Sequence, residues 1–249
     1  MGGALPMIEE GVLENPHVDA AFALHVEPLE ETGKIQIKNG SIMASPDDFE
    51  IIIRGVGGHG AYPEKCINPL SVGAEILEKY HKLSDEYNLL CVVTICSFNG
   101  GTCRNAIPDT AVITGTARSL DAKTRTQLIK LLEEIAVQTA KKMGAEIDFN
   151  FNVLFPPVIN NIEMNNIIRK SAEKLGIGIT ILEKPSMAGD DFSYFCERVP
   201  GAYFKLGVGN RKQGAIYPIH SPKFKADEAA LSIGSAVMAQ IAVEYLDTF

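Results

Sequence analysis

Tryptophan is absent from the 249 residues, no Cys-x-x-Cys pair occurs, and no basic run develops anywhere along the chain. Each absence excludes something. Lys+Arg 23 against Asp+Glu 31 leaves a net charge of -8, which argues against binding a phosphate backbone, so nucleic acid is not an expected partner. The five cysteines, Cys66, Cys91, Cys96, Cys103 and Cys196, are odd in number and unclustered. Neither a disulfide framework nor a thiolate zinc site is indicated, and reduced thiols are expected. No uninterrupted apolar stretch approaches the about 20 residues that span a bilayer, and the N-terminus lacks the basic-then-apolar pattern of a secretory signal. A cytoplasmic chain without membrane contact is the expectation. What is present is a hydrophobic content of 46%, ample for one large or two small domains.

The chain is organised around 51–64, IIIRGVGGHGAYPE. Three isoleucines favour an extended, half-buried strand, and Gly55, Gly57, Gly58 and Gly60 permit turns closed to other residues. His59 is thereby predicted on a tight loop, either as a turn residue or as a group placed to reach a ligand.

Taken in order, Gly3 to Leu13 has helical apolar spacing and ends near Gly11. The neighbouring Glu9 and Glu10 diverge by about 100° on a helix and read as a solvated face rather than a catalytic pair. Val18 to Val26 is a strand-length run, apolar on both faces, as expected inside a sheet covered on both sides. It carries His25 near its end, as a satisfied core residue or a metal ligand. A hairpin strand follows within Gly33 to Gly40, and Ser45-Pro46-Asp47 marks a boundary. Beyond it the pattern predicts strand Asp48–Gly55, helix Asn68–Leu83, strands Leu89–Phe98 and Ala111–Ala117, helix Ala122–Met143 and strand Glu146–Leu154. That β-α-β-β-α-β order is the split βαβ, ferredoxin-like unit. Its loop 99–109 holds Asn105, a turn former or an amide offered to a ligand. After Pro156-Pro157 come a helix from about Asn161 to Leu175, strands Ile177–Leu182 and Ala202–Gly207, and a terminal helix Asp227–Leu246. Asp190 and Asp191 read as a helix cap or as an orienter of a metal ligand. His220 lies between Pro218 and Pro222, which set its position rigidly. An α/β domain interrupted by an insertion accounts for the two similar flanks, with boundaries at 1–45, 46–157 and 158–249.

Seven pieces run in a shared order over essentially the whole chain: GGALPMIEEGVLENP at 2–16, AAFALHVEP at 20–28, GVGGHGAYP at 55–63, NAIPDTAVITGTARSLD at 105–121, AGDDFSYF at 188–195, PGAYFKLGVG at 200–209 and HSPKFKADEAAL at 220–231. Singly weak, jointly they resemble the peptidase M20 family of metal-dependent amidohydrolases, and within it the N-acyl amino acid, hippurate and auxin-conjugate amidohydrolases. The resemblance implies an α/β, zinc-peptidase-like catalytic domain with an inserted ferredoxin-like lid that contributes to substrate binding and to homodimerisation. It implies a pair of divalent metals, zinc, manganese, cobalt or nickel, with His25 and His220 as ligands. It also implies that His59 and Asn105 contact substrate and hold the oxyanion formed when water attacks an amide.

The departures from the family pattern are equally specific. A C-G-H-D-x-H motif and a Glu-Glu pair, supplying further ligands and the general base, normally precede the GGA piece, and this sequence opens just after that point. Glu64 stands where a histidine is common and Asp190 where a glutamate is usual. The resemblance therefore implies an incomplete catalytic domain. The expected function is amide hydrolysis of N-acyl amino acids or small peptides, with the isolated chain inactive. The alternative is a product without turnover that dimerises or binds small carboxylates through the lid.

Overall fold

The computed structural model describes residues 2–87 and 89–249. Its elements follow as α1 (Ala4–Glu9), β1 (Ala21–Glu31), β2 (Lys34–Ile37), β3 (Gly40–Met43), β4 (Ser45–Arg54), β5 (Gly58–His59), α2 (Pro69–Glu86), β6 (Cys91–Gly100), β7 (Ala106–Ile107), β8 (Thr110–Ser119), α3 (Ala122–Lys142), β9 (Glu146–Asn152), β10 (Val158–Asn160), α4 (Ile162–Lys174), β11 (Gly178–Ile181), α5 (Ser193–Cys196), β12 (Gly201–Gly209) and α6 (Ala229–Thr248). The fold is mixed α/β. The chain divides into two compact units, residues 44–157 with 187–189, and residues 2–43, 158–186 and 190–249.

In the first unit four strands lie in the order β6-β8-β4-β9, every neighbour antiparallel. Alternation on β4 buries Phe49, Ile51 and Ile53, and these meet Val72, Ile76, Tyr80 and Leu83 of α2 and Leu128, Leu132 and Ala136 of α3 in one core. Both helices therefore cover the same face of the sheet. Their starts are written locally. Asn68 Oδ1 accepts the Leu70 N–H at 3.0 Å ahead of Pro69, and Asp121 Oδ1 accepts the Thr124 N–H at 2.8 Å; each satisfies an amide the helix leaves open. The Tyr80 hydroxyl donates to the Leu132 carbonyl at 2.6 Å and ties the helices together. Burial pushes that phenol far above its ordinary value. Asp47, 1% exposed, accepts from Arg125 Nε at 2.8 Å and from the Leu154 N–H at 3.0 Å.

In the second unit the sheet order is β1-β12-β2-β11, with β1 parallel to β12, β12 antiparallel to β2, and β2 parallel to β11. Helices α4 and α6 pack against it through Ile167, Ile168, Val237 and Ile241 over Ile35, Phe204 and Leu206. A second cluster gathers Ile42, Met43, Val158 and Tyr203, where the short ribbon of β3 and β10 lies. Buried Asn160 accepts the Tyr203 N–H at 2.8 Å and donates back to the Tyr203 carbonyl at 2.8 Å, acting as one residue of a missing strand.

Four sequence expectations are corrected. Helix α1 stops at Glu9 rather than Leu13, because Gly11 takes a left-handed φ of +86°. Strand β1 lies at the sheet's edge, not inside it. Its apolar alternation reports two covered faces: Phe22, Leu24 and Val26 pack on one core and Ala23 on the other. Such a pattern says nothing about the edges. Strand β2 forms no hairpin with β1; it lies between β12 and β11. Finally, α6 is uncharged up to Glu244 and is long and apolar enough, by length and composition, to cross a membrane. Here it packs on α4 and β12 with Ala230, Gly234, Val237 and Ile241 buried, and buried Glu244 meets Lys174.

Candidate active-site residues

His59 sits on the two-residue strand β5, which pairs antiparallel with β7 so that His59 faces Ala106 and Gly58 faces Ile107. The loop predicted from the glycines is thus a short ribbon. None of Gly55, Gly57, Gly58 and Gly60 has a left-handed φ. Their role is close approach: a Cβ on Gly55 would stand 2.1 Å from the Ile67 carbonyl oxygen, and one on Gly57 would stand 2.7 Å from that of Ile107. The ribbon brings His59 beside Asn105, whose carbonyl accepts the Gly60 N–H at 2.8 Å. Both side chains are exposed. Asp109, which sequence reasoning passed over, pins the strand's entry: its Oδ1 accepts the Gly57 N–H at 2.9 Å and its carbonyl accepts the Gly55 N–H at 2.8 Å.

The imidazole of His59 has a defined tautomer. The Ala61 N–H donates to its Nδ1 at 3.0 Å, so the ring proton belongs on Nε2 and that nitrogen is a donor. The Tyr62 ring packs at 5.7 Å from the imidazole, and Lys65 Nζ lies 5.0 Å over that tyrosine. Glu64 is exposed on the adjoining turn.

His25 lies in the other unit, on β1 opposite Lys205 of β12. Its Nδ1 is 2.7 Å from the Val26 carbonyl oxygen. A protonated Nδ1 donates there, and in the neutral ring the lone pair is then on Nε2. The two histidines therefore hold opposite tautomers, one presenting a donor and one an acceptor. The half-buried His25 ring stacks on Tyr203, with centroids 6.2 Å apart and planes at 29°. Tyr203 is backed in turn by Phe192 at 6.2 Å. Burial, and after it the carboxylate of Asp190, pushes the Tyr203 phenol far up. Next along β1, Glu27 pairs with Lys205 Nζ at 2.8 Å. Tyr203 and Lys205 were invisible to sequence reasoning; the β1–β12 register alone places them beside His25.

His220 occupies an exposed bend with φ 65°, a left-handed conformation rare outside glycine. It shares a unit with His25. Each aspartate accepts a backbone amide: Asp190 Oδ1 that of Phe192 at 3.0 Å, just ahead of α5, and Asp191 Oδ2 that of Ala4 at 2.9 Å, at the first residue of α1.

Among the described residues no three His, Cys, Asp or Glu side chains come together as a metal-binding group. His25 has the tautomer of a ligand, but two neutral imidazoles supply neither the donor number nor the charge that holds a divalent ion. The residues present do not, by themselves, fit a dinuclear centre.

The chain is 35% identical over 251 residues to thermostable carboxypeptidase 1 of Saccharolobus solfataricus, covering 98% of this chain and 62% of that one. It is 32% identical over 249 residues to the N-acetylcysteine deacetylase of Bacillus subtilis, covering 99% and 63%. Among solved structures it superposes on a Bacillus subtilis dinuclear metal binding peptidase of family M20 with a TM-score of 0.84 at 29% identity, over 100% of this chain and 62% of that one. The chain thus spans less than two thirds of the length of these relatives. The model of peptidase family M20/M25/M40 matches residues 1–244, and the chain belongs to that family.

Proposed function

We propose that this chain serves hydrolysis of the amide bond of N-acyl amino acids or small peptides, the unit of residues 44–157 acting as an inserted, ferredoxin-like lid. The observation that carries this reading is the pair of opposite histidine tautomers. His59 offers Nε2–H, and Asn105 joins the same ribbon through its backbone carbonyl, which accepts the Gly60 N–H; an imidazole and a carboxamide are donor types that suit the oxyanion formed when water adds to an amide carbonyl. His25 keeps Nε2 as a lone pair, the state in which an imidazole ligates a divalent metal. His220 is the second ligand in this reading. A metal, when bound, would polarise the carbonyl and lower the pKa of water.

The test has two arms. The 249-residue chain, given manganese or zinc, is expected not to turn over N-acetyl amino acids or hippurate. A chimera in which residues 2–249 replace the matching part of the Bacillus subtilis deacetylase is expected to do so, and His59→Ala is expected to lower its kcat by about 10²–10³-fold. A folded chimera without activity, or one indifferent to His59→Ala, sinks the reading.

A second reading follows from the absence of a three-donor cluster among the described residues: the chain dimerises or binds small carboxylates through the lid without turnover. Strand β6 forms an edge of its sheet, where a second copy could continue the ladder. Turnover by the unmodified chain, abolished in His220→Ala, would exclude this alternative.

A further inference from the structure

The strand that carries His59 is too short to hold its own register. It pairs with β7 at Gly58 with Ile107 and at His59 with Ala106, and a ladder of that length is at best marginal in water. A slip of one residue would turn His59 to the other face of the ribbon. Register must be set from outside the ladder, and the backbone on either side of it shows how. Val56 and Ile67 exchange two bonds of 2.9 Å, the Gly55 N–H donates to the Asp109 carbonyl at 2.8 Å, and the Gly60 N–H donates to the Asn105 carbonyl at 2.8 Å. Each of these joins main chain to main chain. The Gly57 N–H, one residue ahead of the ladder, donates instead to a side chain, the Asp109 Oδ1 at 2.9 Å.

That carboxylate is committed to the backbone. Among the described residues no cation pairs with it, and Asp109 is exposed, so its loss opens no cavity and unpairs no charge. The approach is close. A Cβ on Gly57 would stand 2.8 Å from Oδ1 and 2.7 Å from the Ile107 carbonyl oxygen, so only glycine lets this acceptor reach the strand. Beyond the ladder, the Ala61 N–H donates to His59 Nδ1 at 3.0 Å and the Tyr62 N–H to the His59 carbonyl at 2.9 Å. Gly60, inside that turn, is itself held across the ribbon by Asn105. The turn that fixes the imidazole is therefore built on the ladder that Asp109 registers.

We propose that Asp109 is a positioning residue for His59: its carboxylate fixes the register of β5 and, through the turn that follows, the Nε2–H tautomer that the imidazole presents. Its role rests on the reading of His59 as an oxyanion donor, and the donor is then set by a side chain that meets the backbone rather than the ring. A single solvent-exposed hydrogen bond contributes little to the stability of a whole unit. Its effect is local, on the angle and protonation of one ring.

The experiment is nitrogen NMR of the imidazole in the 249-residue chain at about pH 8.5, where a histidine ring is neutral, with circular dichroism as the folding check. In the parent, His59 Nδ1 is expected to resonate as an acceptor and Nε2 as a protonated nitrogen. Asp109→Ala and, separately, Gly57→Ala are expected to move both resonances toward the averaged values of a ring exchanging between tautomers. Asp109→Asn keeps an Oδ1 acceptor and is expected to retain the parent values, as is Glu78→Ala, which removes another exposed carboxylate of the 44–157 unit. In the chimera with the Bacillus subtilis deacetylase, Asp109→Ala is expected to lower kcat by about 10–10²-fold and to leave KM within about twofold. Folded Asp109→Ala and Gly57→Ala chains with parent resonances would overturn the assignment, as would Asp109→Asn behaving like Asp109→Ala. An unchanged kcat in Asp109→Ala, in a chimera that His59→Ala disables, would overturn it too. Resonances that respond as expected in a chimera indifferent to His59→Ala would uphold the control of the tautomer by Asp109 and remove the amidohydrolase reading alone.

Discussion

Asp191 and Ala4 are joined across nearly the whole chain: the Asp191 carboxylate accepts the backbone N–H that opens α1 at 2.9 Å. The approach is so close that a Cβ on Gly2 would stand 2.1 Å from the same Oδ2. Replacing Asp191 with alanine removes a cap and should cost about 0.5–2 kcal/mol in urea unfolding. Gly2→Ala should destabilise the parent chain but cost less when Asp191 is already alanine, because the clash and the bond share one atom. Additive losses in that double-mutant cycle would refute the contact.

Asp47 and Arg125 form the most buried ion pair of the 44–157 unit, their side chains 2% and 14% exposed. Truncation of one partner leaves the other charge without compensation in a site poor in water. Arg125→Ala should therefore cost about 3–5 kcal/mol, whereas replacing both residues with apolar side chains of similar volume should cost much less. Equal losses in the single and double variants, measured by denaturant midpoint at constant m-value, would contradict this.

Local signals made many elements legible in the sequence. Asn68 before Pro69, Asp121 before Ala122 and Gly144 at φ +76° mark ends of α2 and α3, because caps act within one turn. Alternation exposed β4 and β8 for the same reason. What stayed hidden depends on distant chain. The insertion of β2 between β12 and β11, the edge position of β1, and the stacking of Tyr203 on His25 all arise from strand order, which no local window records. The candidate site divides likewise. His25, His59, Asn105 and His220 were named from motifs, but the tautomers of His25 and His59 are set by backbone groups whose geometry only the fold supplies.

The five thiols should separate by environment. Cys96 and Cys103 are exposed, while Cys91 is buried. Burial, then the nearby Asp190 and Glu197, pushes the Cys196 thiol up to about 12, and burial raises Cys91 too. Because the thiolate is the reactive form, Ellman's reagent at pH 8 should modify Cys96 and Cys103 in the native chain. Cys91 and Cys196 should react only after denaturation. Fast native labelling of Cys196, read by peptide mass, would be inconsistent with so raised a thiol.

Acid stability should carry the signature of Asp121. The Thr124 N–H, and then the Thr124 hydroxyl, hold this carboxyl below its ordinary value of 3.8. A carboxyl whose pKa is lower folded than unfolded contributes fully above the unfolded value, and the contribution is lost as pH falls through the folded one. Unfolding midpoints of the parent and of Asp121→Ala should differ by about 1 kcal/mol at pH 7 and converge below about pH 3. A constant gap across that range would remove the carboxylate from the account.

The ribbon of β3 and β10 has a topological consequence. Met43 and Val158, the residues on either side of the 44–157 excursion, are direct partners in that ribbon. The long segment therefore departs and returns through one hydrogen-bonded doorway, and the remaining unit closes the same ends whether the excursion is long or short. Joining Met43 to Val158 through a tight turn would convert the doorway into an ordinary hairpin. Both strands of that ribbon belong to the unit of residues 2–43, 158–186 and 190–249, so the two ends of the segment are held together within a single unit.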